Sequence, residues 1–386
     1  MPVKKLLKNC RIISPDVDIA RGYVIVENDT ITAVGMGDAP QFDGEILDLD
    51  GKNLLPGFID IHCHGRSGYD FCDQESEAFT VIGRDKLKDG VTSFLATTLT
   101  LPEEDLVQVC RNAVEYHRNV KDGANLLGLH LEGPFFNPPC AGAQNPAYLK
   151  PLDIGLIDRL NTIFPVKKVS FSPELPGSTQ FTAELTRRQI MASGGHTQAT
   201  EEEFEACRLA GMKHLTHFCN VMTPLHHLRF GLVGAGLLND DVALEMICDG
   251  IHLGEKMLRL IAKNKPAEKM MIITDAMRAS GMPDGDYSLG GLPVLVKNGK
   301  ATLSDGVTVA GSTLRYYEGL KHLVKVTGLP LAQAVKAAGS NQARTLDLGK
   351  RGEIRVGYLA DIAVLDENFT PAMTICGGEI RWSVAG

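Results

Sequence analysis

The sequence predicts an α/β chain, a (β/α)8 barrel of the TIM type that carries a small discontinuous β-sandwich domain built from both termini. Three observations point there. From residue 58 to 275, short apolar runs alternate with amphipathic stretches, the pattern of repeated βα units on a parallel sheet. The chain has 386 residues, which accommodates a barrel of about 250 with a smaller domain beside it. Strand texture without helices occupies both ends. Residues 6–13, 22–27, 30–34 and 45–49 read as a small antiparallel sheet, and 352–356, 362–365 and 373–380 as strands that rejoin it. The predicted boundaries are 1–55 with 348–386 for the sandwich and 56–347 for the barrel.

Eight barrel strands are expected at 58–62, 91–97, 126–132, 168–172, 190–196, 214–217, 242–249 and 270–275. Helices are expected at 76–88, 103–117, 154–164, 201–209, 255–262, 313–326 and 331–338. Apolar residues make up 44% and charged residues 22%, close to soluble globular averages, so composition speaks against a disordered chain. A net charge of −8 with scattered Lys and Arg offers no footprint for nucleic acid or anionic lipid. The opening Met1-Pro2-Val3-Lys4-Lys5 leads into no apolar run of signal-peptide length, and no membrane-spanning run follows, so a cytoplasmic protein is expected. The nine cysteines form no C-x-x-C pair and are an odd number, which suits reduced thiols better than a disulfide framework or structural zinc cluster.

Catalytic groups of such barrels lie at the C-terminal strand ends, and here many strands end in a metal-capable or acidic residue. Strand one ends His62-Cys63-His64, whose first and third residues share a face and can meet one ion. Strand three ends in Glu132 before Gly133-Pro134, strand five in His196 and strand six in His217. Taken singly, Glu132 reads as a solvated loop carboxylate, and each histidine as a hydrogen-bonded core residue. Together the five stand at one end of four strands. Nitrogen and oxygen donors without thiolate suit one or two divalent ions, Zn above all, with Fe, Mn or Co also compatible. Such an ion lowers the pKa of bound water to about 7 and makes it the nucleophile. Strand eight ends in Asp275. Alone it reads as a helix N-cap before Ala276, but beside such a water it reads as the general base, then acid, of amide hydrolysis.

With these residues in place, the chain resembles the N-acetylglucosamine-6-phosphate deacetylases of the amidohydrolase superfamily. The resemblance spans nearly the whole chain. It is carried by Pro56 to Gly65, Gly68-Tyr69-Asp70, His130 to Phe135, Thr216-His217, Asp249-Gly250-Ile251-His252, Thr274-Asp275-Ala276, Ala310-Gly311-Ser312 and Gly357 to Asp361. It implies that Glu132, His196 and His217 hold the metal common to active members, that His62 and His64 form a second site, and that Asp275 is the acid/base. It further implies that Asn220 and Val221 hold an amino sugar, that His252 reaches its polar groups, and that Val309, Ala310 and Gly311 lie near the acetyl group. A homodimer is also implied, with part of a phosphate site donated across the interface.

Two stretches depart from the family pattern. Where relatives carry Lys-Gly-Ala-His, this chain reads Ala141-Gly142-Ala143-Gln144, so a hydrogen-bonding amide replaces an imidazole. Where they carry His-His-Arg-Glu-Pro-Gly, it reads His226-His227-Leu228-Arg229-Phe230-Gly231, which moves the candidate phosphate ligand to Arg229. Two other readings stand beside the deacetylase. Hydantoinases and dihydroorotases bridge two metals with a modified lysine at the end of strand four, but that strand ends Val169-Ser170-Phe171-Ser172-Pro173 here. A catalytically silent sugar-sensing barrel would have no need of every ligand together with Asp275.

Overall fold

The computed structural model describes residues 3–384. Eight parallel strands form the barrel in sequence order: Phe58–Asp60, Val91–Thr97, Asn125–Glu132, Val166–Phe171, Met191–Gly194, His214–Leu215, Ala243–Ile247 and Met270–Ile273. Their residues are almost all buried, because each strand has the barrel interior on one face and helices on the other. The ladder of main-chain hydrogen bonds is continuous from the first strand to the eighth. Side chains and loops close the seam between those two. The Asp60 carboxylate accepts from Thr274 Oγ1 at 2.7 Å and pairs with Lys86 Nζ at 2.8 Å, and Asp275 N donates to the His62 carbonyl at 2.9 Å.

The expected helices are present as Glu77–Lys86, Glu103–Asn119, Ile154–Ile163, Glu201–Ala210, Glu255–Asn264 and Tyr316–Thr327, and the stretch at 331–338 continues from Leu331–Ala334 into a 3-10 turn. Thr200 and Glu203 start the fourth of these with a reciprocal capping box. Three further helices were not expected, one of them the short Ser340–Thr345, and the other two have weak sequence signals. Gly231–Leu238, Gly-Leu-Val-Gly-Ala-Gly-Leu-Leu, has no polar face to reveal a period, and Ser178–Arg187 buries two of its positions with Ser178 and Thr182 instead of apolar residues. Tyr316 locks the last helical layer to the barrel floor. Its ring stacks on Phe58 at 5.2 Å, and its hydroxyl lies 3.0 Å from the Ile272 carbonyl.

The terminal strands form one eight-stranded sheet: Lys4–Ser14, Val17–Glu27, Thr30–Met36, Glu45–Asp48 and Asn53–Pro56 from the N-terminal part, then Ile362–Leu365, Pro371–Cys376 and Glu379–Ser383. The N-terminal part is mixed, not purely antiparallel as expected. Lys4–Ser14 pairs in parallel with Glu45–Asp48 along its first half and with Asn53–Pro56 along its second. Antiparallel pairing of Asn53–Pro56 with Ile362–Leu365 joins the two ends of the chain, and residues of both, among them Ile12, Val24, Ile31, Leu54, Ile362 and Ile375, share one core.

Two C-terminal expectations are corrected. Residues 373–380 are not one strand but parts of two, Pro371–Cys376 and Glu379–Ser383, joined in a hairpin at Gly377-Gly378, which both take positive φ. Residues 352–356 form no strand. Gly352 at φ 81° breaks the extended run and sits where a Cβ would lie 2.8 Å from the Ser340 Cα, so the segment docks through single bonds such as Ile354 N to Ser14 Oγ at 2.9 Å.

An insertion after the eighth strand was not expected: a three-stranded sheet of Gly285–Leu289, Leu292–Lys297 and Lys300–Leu303. Its tight turns use Gly290-Gly291 and Asn298-Gly299, all at positive φ, the chemistry two-residue hairpins demand. Leu289, Val294, Val296 and Ala301 pack it over Leu99, Met277 and Ala310 at the rim of the barrel mouth. All nine cysteines are unpaired, and among the described residues no helix is long and apolar enough to cross a membrane.

The seam makes a stability prediction. Asp60 and Lys86 are both buried, so Asp60→Ala strands an ammonium without a partner and lowers unfolding free energy by about 3–5 kcal/mol. Equilibrium denaturation measures this, and a change below about 1 kcal/mol removes Asp60 from its sealing role.

Candidate active site

Glu132 is the last paired residue of its strand, and the predicted histidine ligands stand just past the hydrogen-bonded part of theirs, where the chain turns. His196, His217 and Asp275 take φ of 49°, 30° and 48°, left-handed values that cost a non-glycine residue on the order of 1–3 kcal/mol each. These sharp turns bring their side chains to the site. Gly311, at φ 62°, makes room, since a Cβ there would lie 3.1 Å from the Asp275 carbonyl oxygen.

Glu132 is the centre of the arrangement. Its carboxylate lies 3.2 Å from His62 Nε2, 3.1 Å from His64 Nε2, 3.2 Å from His217 Nε2 and 3.5 Å from His196 Nε2. Asp275 Oδ1 lies 3.4 Å from His62 Nε2 and 3.3 Å from His64 Nε2. Two overlapping donor sets result, His62 with His64 and Glu132, and Glu132 with His196 and His217; within each set the ligand atoms lie within 4.8 Å of one another. All five residues are buried.

The donors fit a divalent ion on two structural grounds. His196 Nδ1 is 2.9 Å from the Cys140 carbonyl and so donates its proton there, which leaves a lone pair on Nε2; that atom lies 3.0 Å from His217 Nε2, so the two nitrogens either share one proton or turn to one cation. His62 Nε2 is buried and makes no hydrogen bond despite its close carboxylates. Electrostatics agree. Burial opposes charging His62, but Glu132 and Asp275 outweigh it and raise the imidazole to about 9. Burial likewise opposes ionising Asp275, yet His62 and His64 hold it below the usual aspartate range. The site attracts positive charge and keeps Asp275 ionised.

Two supporting groups, Glu245 and Lys168, escaped the sequence reading, and Gln144, expected beside the substrate, also braces a ligand. Gln144 Nε2 donates to Glu132 Oε2 at 2.7 Å, and its Oε1 accepts from Thr100 N at 2.7 Å, so both ends of the amide serve to hold Glu132. Glu245, on the seventh strand, accepts from His62 Nδ1 at 3.1 Å and from His217 N at 3.2 Å. Lys168, on the fourth strand, pairs with Glu245, and both side chains are fully buried. Strand four therefore does carry an inward lysine, but that lysine is engaged by a carboxylate. A signal existed for both: Lys168, Ser170 and Ser172 alternate on one face of their strand, and Glu245 is the lone charge in Ala-Leu-Glu-Met-Ile.

Above the donors lies a cavity of about 290 Å³, near the lower end for small-molecule sites and suited to a single small ligand. His64, Glu132, His196, His217 and Asp275 line it together with Ala143, Gln144, Asn220, Val221, His252, Val309 and Gly311. Asn220 spends its amide nitrogen on the His217 carbonyl at 3.1 Å, which leaves Oδ1 free. His252 Nδ1 is held by Asp249 Oδ2 at 2.7 Å, so Nε2 is the nitrogen left for a ligand, and that carboxylate outweighs burial to raise the imidazole pKa. Two predicted residues lie elsewhere. Ala310 is buried behind the wall with its N–H on the Ala301 carbonyl, and Arg229 is exposed on the loop beside a separate cavity of about 620 Å³ formed by residues 198–202 and 223–231. Among the described residues Arg229 has no ion-pair partner, because the loop carries it outward.

Residues 53–381 match the amidohydrolase family. The chain is 35% identical over 384 residues to the N-acetylglucosamine-6-phosphate deacetylase of Bacillus subtilis, covering 98% of this chain and 97% of that one. It is 34% identical over 324 residues to the N-acetylgalactosamine-6-phosphate deacetylase of Escherichia coli O157:H7, covering 83% and 85%. The crystal structure of N-acetylglucosamine-6-phosphate deacetylase from Thermotoga maritima superposes with a TM-score of 0.89 at 36% identity, over 98% of this chain and all of the other. By fold, by donor arrangement and by likeness along its whole length, this chain belongs to the N-acetylglucosamine-6-phosphate deacetylase family of amidohydrolases.

Proposed function

We propose that this protein is a metal-dependent hydrolase that removes the acetyl group from N-acetylglucosamine 6-phosphate or its galactosamine epimer, giving acetate and the free amine. The observation that carries the reading is the convergence of two donor sets sharing Glu132 with the buried Asp275 in one ligand-sized cavity. Relatives named for both epimers support the substrate class.

Glu132, His196 and His217 would hold the main ion, with a second or weaker position at His62 and His64; Zn suits these donors best, and Fe, Mn or Co also match them. A divalent ion here supplies a Lewis acid that makes water nucleophilic near neutral pH and polarises the acetyl carbonyl. The chain's own residues do the rest. Asp275, ionised before the reaction, accepts a proton from the attacking water and returns it to the departing amine nitrogen. Gln144 keeps Glu132 in place through one N–H of its amide, and the second N–H is left for the acetyl carbonyl. Asn220, Val221, Val309 and Gly311 wall the sugar and acetyl group, with Ala310 supporting that wall from behind. His252, oriented by Asp249, contacts the sugar's polar groups.

The cavity lining includes no lysine or arginine. We place Arg229 as the phosphate ligand of a neighbouring subunit in a homodimer, a placement its outward loop and the adjacent exposed Leu228 support. A sugar phosphate as substrate also suits a cytoplasmic enzyme.

Exhaustive chelation abolishes activity and re-addition of Zn restores it; full activity in metal-free protein, checked by elemental analysis, removes the ion from the reaction. Asp275→Asn retains metal and substrate binding but lowers kcat at least about a hundredfold, measured as acetate release. Turnover near wild type excludes the proton role. Arg229→Ala lowers kcat/KM for the 6-phosphate by about 10–100-fold and leaves the value for unphosphorylated N-acetylglucosamine unchanged. Equal kcat/KM of wild type for the two sugars points instead to a neutral N-acyl substrate.

A further inference from the structure

Beneath the donor sets lies a buried polar group that the reaction does not use directly. Lys168 Nζ and Glu245 Oε1 form an ion pair between strands four and seven, and neither side chain reaches solvent. A strut between strands needs only that contact. Glu245, however, turns its second oxygen upward, where it accepts two hydrogen bonds, from His62 Nδ1 at 3.1 Å and from His217 N at 3.2 Å. One carboxylate oxygen therefore touches a member of each donor set.

An imidazole offers a lone pair on one nitrogen only when its proton sits on the other. His62 lies edge-on to His130 at 4.6 Å, and among the described residues Glu245 is the one hydrogen-bond partner of its Nδ1. With Nδ1–H donated to Glu245, Nε2 is left as the acceptor, and it is this atom that is buried, free of hydrogen bonds and close to Glu132 and Asp275. Lys168 keeps the carboxylate charged and fixed. We propose that Glu245, anchored by Lys168, is the positioning residue of the His62/His64 ion position, holding His62 in the tautomer and orientation that aim Nε2 at the ion. The proposal rests on the reading of His62, His64 and Glu132 as an ion position, and concerns residues one layer below it.

The test measures Zn stoichiometry and the affinity of each ion by chelator competition on the full-length protein, alongside thermal unfolding. Lys168→Met/Glu245→Met replaces the pair by apolar side chains of similar volume, an exchange that buried pairs commonly tolerate. The second ion is expected to bind 10–100-fold more weakly while the first changes little, because loss of a carboxylate behind a histidine ligand acts on that ligand. Lys168→Met/Glu245→Gln returns an acceptor to His62 and is expected to recover most of the lost affinity. In His62→Gln protein, adding Lys168→Met/Glu245→Met is expected to weaken the ions no further. A wild type that takes a single ion overturns the ion position and the proposal together. A wild type with two ions, paired with a Lys168→Met/Glu245→Met variant that keeps both at wild-type affinity, overturns the proposal alone. Independently of whether the variants fold, histidine ¹⁵N NMR of the Zn-loaded wild type, assigned with His62→Gln, reads the tautomer: a proton on Nδ1 is expected, and a proton on Nε2 overturns the assignment.

Discussion

Glu132 sets the terms for everything around it. A carboxylate that is 2% exposed and faces four imidazole nitrogens within 3.5 Å has lost its water, and bulk solvent cannot compensate its charge. The compensation must come from protons on the histidines or from a cation among them. Each imidazole can serve a cation only through a nitrogen kept free of protons, so its proton sits on the opposite nitrogen; among the described residues His64 Nδ1 and His217 Nδ1 have no acceptor, and the other two histidines do. His196 has the Cys140 carbonyl and His62 has Glu245. Glu132 is itself steadied by Gln144, whose amide is pinned on its other side to Thr100 N. The demand of one desolvated carboxylate thus propagates into the loop after strand three and the barrel floor.

The barrel meets that demand at a cost in backbone conformation. Three site residues lie at left-handed φ immediately beyond their strands, which parallel strands ending in ordinary extended geometry would not require. Such conformations persist where the surroundings over-determine them. Asp275 shows how: its N–H is held by the His62 carbonyl at 2.9 Å, its own carbonyl by Ser312 N at 2.7 Å, and the seam beside it by Asp60 and Lys86. The hairpin sheet after strand eight then brings Leu289 to the rim, and the turn that follows its last strand supplies Thr308 and Val309, so an apolar insertion narrows the mouth above the charged floor.

The terminal sheet contributes through packing and not through chemistry. Cys376 and Trp382 pack against the barrel core, and Thr374 Oγ1 donates to the Leu87 carbonyl at 2.7 Å, which ties the C-terminal hairpin to the turn after the first barrel helix. Because Asn53–Pro56 leads directly into Phe58–Asp60, the same sheet sets the entry of the strand that delivers His62 and His64.

The amino-acid sequence by itself determined the barrel, the two-ended second domain and the group of residues that can bind an ion, because those depend on local patterns: apolar runs of strand length, and histidines and acids at the ends of those runs. His62, His64, Glu132, His196, His217 and Asp275 were legible as one set because strand ends of a barrel share a face. Weak local signals hid other elements. The helix Gly231–Leu238 has no polar side, and the hairpin sheet at 285–303 was marked only by glycine turns. Tertiary structure alone decided which groups stand behind the ligands and which predicted contacts stand apart. Gln144 and Glu132 are twelve residues apart, and Glu245 lies 183 from His62. The second pairing depends on barrel register, where a shift of one residue would turn Glu245 to the opposite face, and the first on the path of the loop after strand three. Arg229 is the converse case: its type suggested a phosphate contact, but the path of an exposed loop carries it away from the cavity of its own chain, and no local pattern encodes that path.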